Sequence, residues 1–277
     1  MSNLAYLADP SGDFALIVAT LISLCAGLLG VMLVLKRYSM IGDGLSHVAF
    51  GAYAIATVMS FADNMILTIP VTIIVAIMLL RIKTDGKVKA ETLIAMLSAG
   101  ALAIGYMVMS LAGGNNIAGD VCTTLFGGSA ILNLTKTDVI VSSVLAGVVI
   151  VCFLLFYNRL FAVTFDENFA KSSGVKAGVY KTLLAVITAI VIVLAMELVG
   201  ALLISALIVF PALSAMKLVR SFKKVVLVSA SLSVGTSILG VLVAIAVNAP
   251  IGSTIVVANV VVFLVCFGIS AVKGKIK

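Results

Sequence analysis

The sequence predicts an all-α polytopic membrane protein with about eight to nine transmembrane helices. Of its 277 residues, 63% are hydrophobic and only 10% are charged, whereas a soluble domain carries roughly a quarter charged residues. Long apolar runs recur along the chain, and each is long enough to cross a hydrocarbon core of about 30 Å. The first run, 14–35, has no basic residue before it, so we interpret it as a membrane helix and not as a removed signal peptide.

The apolar runs define nine candidate spans. They cover residues 14–35, 44–60, 65–82, 91–111, 138–156, 181–197, 199–216, 225–247 and 252–272. We expect Pro211 to break the seventh span. The sixth and seventh, joined near Glu197 and Gly200, are read equally well as one broken or kinked pair, so the count is uncertain by about one. The longest inner loop, 157–180, is too short for a soluble domain, and we expect one permease-like membrane domain over 1–277.

The basic residues predict how the chain crosses the membrane. With the N-terminus outside and the C-terminus inside, 17 of the 18 Lys and Arg residues fall in inner loops, and Lys136 is the exception. Inner loops of membrane proteins carry such an excess of basic residues. This pattern explains the net charge of +7 by topology in a lipid membrane, and no nucleic-acid partner is expected.

The stretch 112–137 differs from the spans because it is polar and rich in glycine. Irregular backbone at membrane depth is tolerated where it lines a cavity, so we expect a re-entrant segment here. Asp120 and Cys122 lie in this stretch, near the outer mouth. A role in receiving cargo is one interpretation of these two residues, and a solvated loop is the favoured one.

Several kinds of chemistry are excluded by missing motifs. The chain has no GxxxxGK[ST] loop for a nucleotide, and a single histidine rules out the HExxH helix of zinc proteases. There is no GxSxG elbow for a serine hydrolase. Three of the four scattered cysteines, Cys25, Cys152 and Cys266, fall inside spans and are interpreted as packing residues. We therefore do not expect an enzyme.

The single histidine, His47, follows Asp43 by four residues inside an apolar stretch. In a helix this spacing puts carboxylate and imidazole on one face, about 6 Å apart along the axis. Ionisable residues at membrane depth are costly and mark pathways for ions or protons, and this donor pair suits zinc, manganese or ferrous iron. The alternative is that Asp43 is only the N-cap of a span starting at Gly44.

Two further features are candidates for function. Glu197 lies near the outer end of a span, where it completes a metal site, closes a gate or marks the interface. The inner loop 165–175 predicts a short helix, with Asp166 as its cap and Gly174 as its left-handed end. Spacing alone does not separate an ordinary connecting helix from one that docks on a partner.

Three segments of the chain together resemble one known family. Residues 36–51 contain G-D-G-L-S-H, residues 165–175 read F-D-E-N-F-A with a later G-V, and residues 197–215 contain V-G-A-L-L and F-P-A. In this order and at this spacing they are similar to the permeases of zinc, manganese and iron ABC importers, and the resemblance spans about the whole chain. Departures are small: Val48 and Leu213 stand where the family usually has alanine, and no proline precedes Gly51.

The resemblance implies a permease of the type II ABC-importer fold in a bacterial cell membrane. It implies a permease dimer, a separate cytoplasmic ATP-binding subunit and an extracellular metal-binding protein, with no permanently bound cofactor. Asp43 and His47 match the family's metal-coordinating positions. The loop segment matches its ATPase-coupling region, which assigns that role to Phe165, Asp166, Ala170 and Gly174. The expected cargo is a divalent metal, with zinc slightly favoured because one ligand is an imidazole.

Three other kinds of protein remain consistent with the sequence. A proton- or ion-coupled secondary transporter also uses one intramembrane Asp/His pair, but it needs no ATPase. An ABC permease for an organic cargo such as a metal chelate fits the architecture, but its wide cavity makes a small-cation ligand pair unnecessary. An intramembrane hydrolase is the least favoured, because the chain lacks a recognisable set of catalytic residues.

Overall fold

The computed structural model describes residues 10–61, 63–81, 90–112, 134–247 and 249–275, which form ten helices. In chain order they are α1 (Pro10–Leu35), α2 (Ile41–Val58), α3 (Met65–Arg81), α4 (Ala90–Leu111), α5 (Lys136–Phe165), α6 (Glu167–Ser172), α7 (Ala177–Val199), α8 (Ala201–Leu218), α9 (Phe222–Val247) and α10 (Ile251–Lys275). The prediction of an all-α architecture is confirmed.

Each of the nine predicted spans coincides with a helix, and α6 is the short additional one. Seven of the described helices are long and apolar enough to cross a membrane. The two spans outside that set are α2, which carries Asp43 and His47, and α3, which has 17 residues. Most of the Gly-rich stretch 112–137, for which a re-entrant segment is predicted, lies outside the described residues, and its last two residues belong to α5.

Helix α5 is much longer than predicted. The apolar run ends at residue 156, where Tyr157 and Arg159 begin a more polar stretch, but the helix continues to Phe165. Its last turns are held by aromatic packing against the start of α9, with the ring of Phe161 4.7 Å and that of Phe165 5.9 Å from Phe222. Hydropathy marks where a helix can lie in lipid, and it does not mark where the helix ends.

The expectation that Pro211 breaks its span is wrong. Pro211 lies inside α8, which is continuous from Ala201 to Leu218. Proline is tolerated in membrane helices because neighbouring groups compensate for its missing backbone donor. The chain is interrupted at Gly200, whose φ of 104° separates α7 from α8. That region of backbone space is open to glycine and strained for other residues, so α7 and α8 are two helices.

Helices α1, α7 and α8 form the buried centre of the bundle. Helix α1 packs against α5, α8 and α9, while α2 packs against α3, α4 and α8. Small polar residues join the α1–α9 pair, since Ser229 donates a 2.9 Å hydrogen bond to the Gly27 carbonyl and Ser233 a 2.7 Å bond to that of Ser23. Membrane helices associate through such close approaches and interhelical hydrogen bonds.

The outer helices keep large apolar faces exposed. Most of α4, α5 and α10 is unburied, and Leu154, Leu155 and Leu264 are among the exposed large side chains. A lipid tail is as apolar as leucine, so such faces need no cover in a membrane. Of the polar pair of α2, in contrast, Asp43 contacts Ser98 of α4.

Candidate functional site

Helix α2 begins before the candidate pair. Its first residue is Ile41 and its N-cap is Met40, which makes no side-chain capping bond. Asp43 therefore lies within the first turn, and the alternative that it is the N-cap of a helix starting at Gly44 is wrong. A carboxylate in a first turn still interacts favourably with the positive end of the helix dipole.

Asp43 and His47 lie one turn apart on the same face of α2, as predicted. The Nε2 atom of His47 is 3.4 Å from Oδ1 of Asp43. The side chain of Asp43 is 43% exposed and that of His47 is 18% exposed, so the carboxylate is open on one side and the ring is largely covered. The other ring nitrogen, Nδ1, is buried and has no hydrogen-bond partner among the described residues. A buried polar atom of this kind needs an explanation.

A third side chain reaches the pair from α4. Ser98 is buried, and its hydroxyl donates a 3.3 Å hydrogen bond to Oδ2 of Asp43. The close approach of α2 and α4 makes this possible, because a Cβ on Gly51 would lie 2.8 Å from the carbonyl oxygen of Ala101. Ser98 is not predicted as a site residue from the sequence, because a single serine on another span carries no motif that identifies it.

Glu197 does not join this pair. It lies in the last turn of α7, and the carboxylates within electrostatic range of it are those of Asp63 and Asp138. In the described part of the chain, no group of three or more His, Cys, Asp or Glu side chains is placed to hold a metal. Within the described residues, one copy of the chain therefore brings two such groups, Asp43 and His47, together.

The loop after α5 folds as predicted. Asp166 caps α6, because its Oδ1 accepts 2.9 Å hydrogen bonds from the backbone N–H groups of Asn168 and Phe169. Gly174 follows with a left-handed φ of 79°. Of the other two coupling candidates, Ala170 is fully buried and Phe165, the last residue of α5, is exposed. This segment lies beside the start of α7.

The cysteines add no second site among the described residues. Cys25 and Cys266 are buried, Cys152 is half-buried, and all three are free thiols within helices. Cys122 and Asp120, the candidates at the outer mouth, lie outside the described residues.

The arrangement of helices agrees with the comparison to known proteins. The model of the ABC 3 transport family matches residues 13–270 of the chain. The chain belongs to the ABC 3 transport family. It is a multi-pass membrane protein and the permease subunit of an ABC transporter, without catalytic function of its own.

Relatives cover nearly the whole chain. The manganese import system permease protein ScaB of Streptococcus gordonii is 30% identical, over 95% of this chain and 92% of its own. A probable iron transport system membrane protein of Haemophilus influenzae is 31% identical, over 91% and 88% respectively.

Solved structures show the same fold. PsaBC from Streptococcus pneumoniae in complex with Fab superposes with a TM-score of 0.79 at 29% identity, over 92% of this chain and 90% of that one. An inward-facing conformation of a putative metal-chelate type ABC transporter superposes with a TM-score of 0.70 at 17% identity, over 94% and 85%, and this likeness shows the fold alone.

Proposed function

We propose that this permease belongs to an ATP-driven importer of divalent metal cations and that Asp43 and His47 bind the passing metal. The observation that carries the proposal is the α2 pair: a half-exposed carboxylate beside an imidazole whose buried Nδ1 has no partner in the described chain. Carboxylate oxygen and imidazole nitrogen together suit manganese, ferrous iron and zinc. An ionisable pair in a membrane helix is expensive and is by default functional.

Manganese is our first candidate for the cargo, and iron the second. The slight preference for zinc drawn from the sequence depends on the imidazole alone, which all three metals accept. The relatives described above are named for manganese and for iron. A carboxylate and an imidazole do not discriminate between these metals, so the support for manganese comes from the relatives' names.

The site requires more ligands than the described part of one chain supplies. Two donor side chains leave most positions of a six-coordinate ion open, so we propose that a second copy of the chain contributes its own Asp43 and His47 and that water supplies the rest. The half-exposed face of Asp43 is consistent with such sharing. The metal arrives from an extracellular metal-binding protein, and no resident cofactor is needed.

A separate ATPase drives transport from the end of the bundle that carries Lys36, Lys171 and Lys181, which we call the basic end. Basic loops favour the cytoplasmic side, so the basic end faces the cytoplasm. Helix α6 lies at this end and presents Phe169, which is 67% exposed, to a partner. The sequence carries no phosphate-binding motif, so nucleotide binding belongs to the partner.

The test is to delete the gene and measure total cellular manganese, iron and zinc in metal-limited medium. Wild-type, Asp43→Ala and His47→Ala chains are returned to the deletion strain, with Asp13→Ala, which removes an exposed acid from the first turn of α1, as the matched control. We expect one metal to fall on deletion and to be restored by the wild type and by Asp13→Ala, but by neither site variant. Unchanged levels of all three metals would overturn the proposal.

The organic-chelate alternative predicts a different outcome of the same experiment. A chelate brings its own ligands to the metal, so Asp43→Ala and His47→Ala would then restore metal content as well as the wild type. A secondary transporter is no longer an alternative, because the chain belongs to an ABC family.

A further inference from the structure

Glu167, the first residue of α6, pairs with lysines on two different helices. Its Oε1 lies 2.7 Å from the ammonium of Lys171 on the next turn of α6. Its Oε2 pairs with the ammonium of Lys181, which lies in the second turn of α7. The first pair is internal to α6, whereas the second ties α6 to a helix of the buried centre.

This tie is a large part of what holds α6 to the bundle. Of the six residues of α6, Ala170 alone is buried, and Phe169 projects outward. The Asp166 cap fixes the shape of α6 but contacts only its own backbone. A one-turn helix with a single buried residue gains little from packing, so its position depends on the Glu167–Lys181 pair.

Lys36 adds the end of α1 to the same cluster. Burial and the nearby charge of Lys181 lower the pKa of Lys36 to about 8, and the charge of Glu167 partly opposes them. Burial raises the pKa of Glu167, but hydrogen bonds from Lys171 and Lys181 outweigh it and bring the pKa to about 2. At neutral pH Glu167 is therefore ionised; it pairs with Lys171 and Lys181 and lies within electrostatic range of Lys36.

The cluster is connected by rigid backbone to the metal pair. Lys36 opens the tight turn between α1 and α2, in which the N–H of Tyr38 donates 2.9 Å to the carbonyl of Leu33 and that of Ile41 donates 3.1 Å to Tyr38. Asp43 follows in the first turn of α2. A displacement of α6 that moves Glu167 therefore acts through Lys181 on α7, which packs against the helix that holds the proposed metal ligands, α2. It also moves the charge that acts on Lys36 at the turn before α2.

We propose that Glu167 is a positioning residue that transmits the movement of α6 to the α1–α2 turn and to α7, and so couples ATP hydrolysis to metal movement. The inference rests on the proposed function, because it takes α6 to be the element that the ATPase moves. Glu167 touches neither metal nor nucleotide. Its effect is on the amount of metal moved per ATP hydrolysed.

The test uses the permease reconstituted in liposomes with its ATPase and binding protein. Two rates are measured, ATP hydrolysis and uptake of the metal identified by the deletion experiment. Glu167→Gln keeps the shape of the side chain and removes its charge. We expect the ratio of metal to ATP to fall roughly two- to thirtyfold, the fold-change that corresponds to the coupling energies of about 0.5–2 kcal/mol carried by single residues of a coupling network. ATP hydrolysis and co-purification of the ATPase should stay near wild type.

The two lysines provide a matched pair of variants. Lys181→Met removes the bond between helices and should lower the ratio as Glu167→Gln does, whereas Lys171→Met removes the bond within α6 and should leave the ratio unchanged. The exchange of charges in the double variant Glu167→Lys, Lys181→Glu keeps one carboxylate between the helices and should restore much of the ratio. Loss of ATPase co-purification in Glu167→Gln would mean a role in assembly and would overturn the inference.

The outcomes separate this inference from the proposed function. If the wild-type complex moves no metal with ATP, the proposed function fails and the coupling role falls with it. If the wild type transports and Glu167→Gln has the same ratio, or the two lysine variants behave alike, the coupling role alone is overturned.

Discussion

Ser98 reaches the proposed metal pair from a neighbouring helix. Its hydroxyl donates to Oδ2 of Asp43, while Oδ1 faces His47. Residues that hold a metal ligand in this way affect affinity or activity by about 10- to 100-fold when removed. We expect Ser98→Ala to lower metal uptake by about tenfold with normal amounts of protein in the membrane. Ser231→Ala, which removes a bond to the backbone of its own helix, is the control.

Uptake in Ser98→Ala equal to that in Ser231→Ala would show that Asp43 is held well enough by His47 alone. A loss of protein from the membrane, measured by immunoblot, would instead assign Ser98 a role in packing α2 against α4.

Lys36 makes the free energy of unfolding depend on pH in the alkaline range. Its pKa falls from an ordinary value of 10.5 to about 8 because of burial and the charge of Lys181. Between these values the unfolded chain binds more protons than the folded one, so the free energy of unfolding gains a contribution that rises with pH. We expect the thermal midpoint of the detergent-solubilised complex to rise less across this window in Lys36→Met than in the wild type. At neutral pH the variant should be the more stable.

Parallel pH profiles for the two proteins would contradict this assignment. Lys223→Met, which changes an exposed lysine at the start of α9, serves as the control and should follow the wild type.

At the level of residues, the sequence predicts functional groups where a short spacing carries them. Asp43 and His47 are one helical turn apart, and Asp166 precedes a short helix, so both could be read from local pattern. The roles of Ser98 and of the Glu167–Lys181 pair could not be predicted from local sequence pattern. They depend on which faces of α2 and α4, or of α6 and α7, meet, and that register is set by tertiary packing.

The contact between α2 and α4 positions the site at the level of elements. A methyl group on Gly51 would lie 2.8 Å from the carbonyl oxygen of Ala101, so the helices must separate to admit it. Such overpacking costs about 1–3 kcal/mol. We expect Gly51→Ala to lower the thermal midpoint and, by moving Ser98 away from Asp43, to lower uptake.

Gly100→Ala is the matched control in the facing helix. A Cβ there meets nothing within 4 Å, and alanine is the better helix former, so stability should be equal or higher. If the two alanine variants have the same stability and uptake, close approach at Gly51 is not what sets the site.

Element boundaries are less predictable from sequence than element number. All nine apolar spans appear as helices because their length and hydropathy require it. The start of α2 at Ile41 and the end of α5 at Phe165 differ from the prediction. Both boundaries lie next to polar residues. The tight turn after Lys36 sets the start of α2, and aromatic contacts with Phe222 set the end of α5. Neither boundary can be predicted from the local sequence, because both depend on contacts outside the helix concerned.

On the scale of the whole molecule, charge is separated between the two ends of the bundle. The described basic end holds Lys36, Lys171 and Lys181 around Glu167, while Glu197, Asp63 and Asp138 gather at the end where α7 stops. With the proposed orientation, the acidic end would lie outside, where it would concentrate cations, and the basic end would lie inside, as basic loops usually do. Both follow from the orientation proposed above, which one labelling experiment decides.

Ser60, after α2, and Ser221, between α8 and α9, are exposed and lie in connections that the predicted topology places on opposite sides of the membrane. Each is changed to cysteine in a chain with Cys122→Ser, and intact cells are treated with a membrane-impermeant maleimide. Because 17 of the 18 basic residues fall in loops on the predicted inner side, we expect Ser60→Cys to be labelled in intact cells and Ser221→Cys only after permeabilisation. The reverse pattern would invert the topology, place α6 outside the cell and remove the basis for its contact with an ATPase.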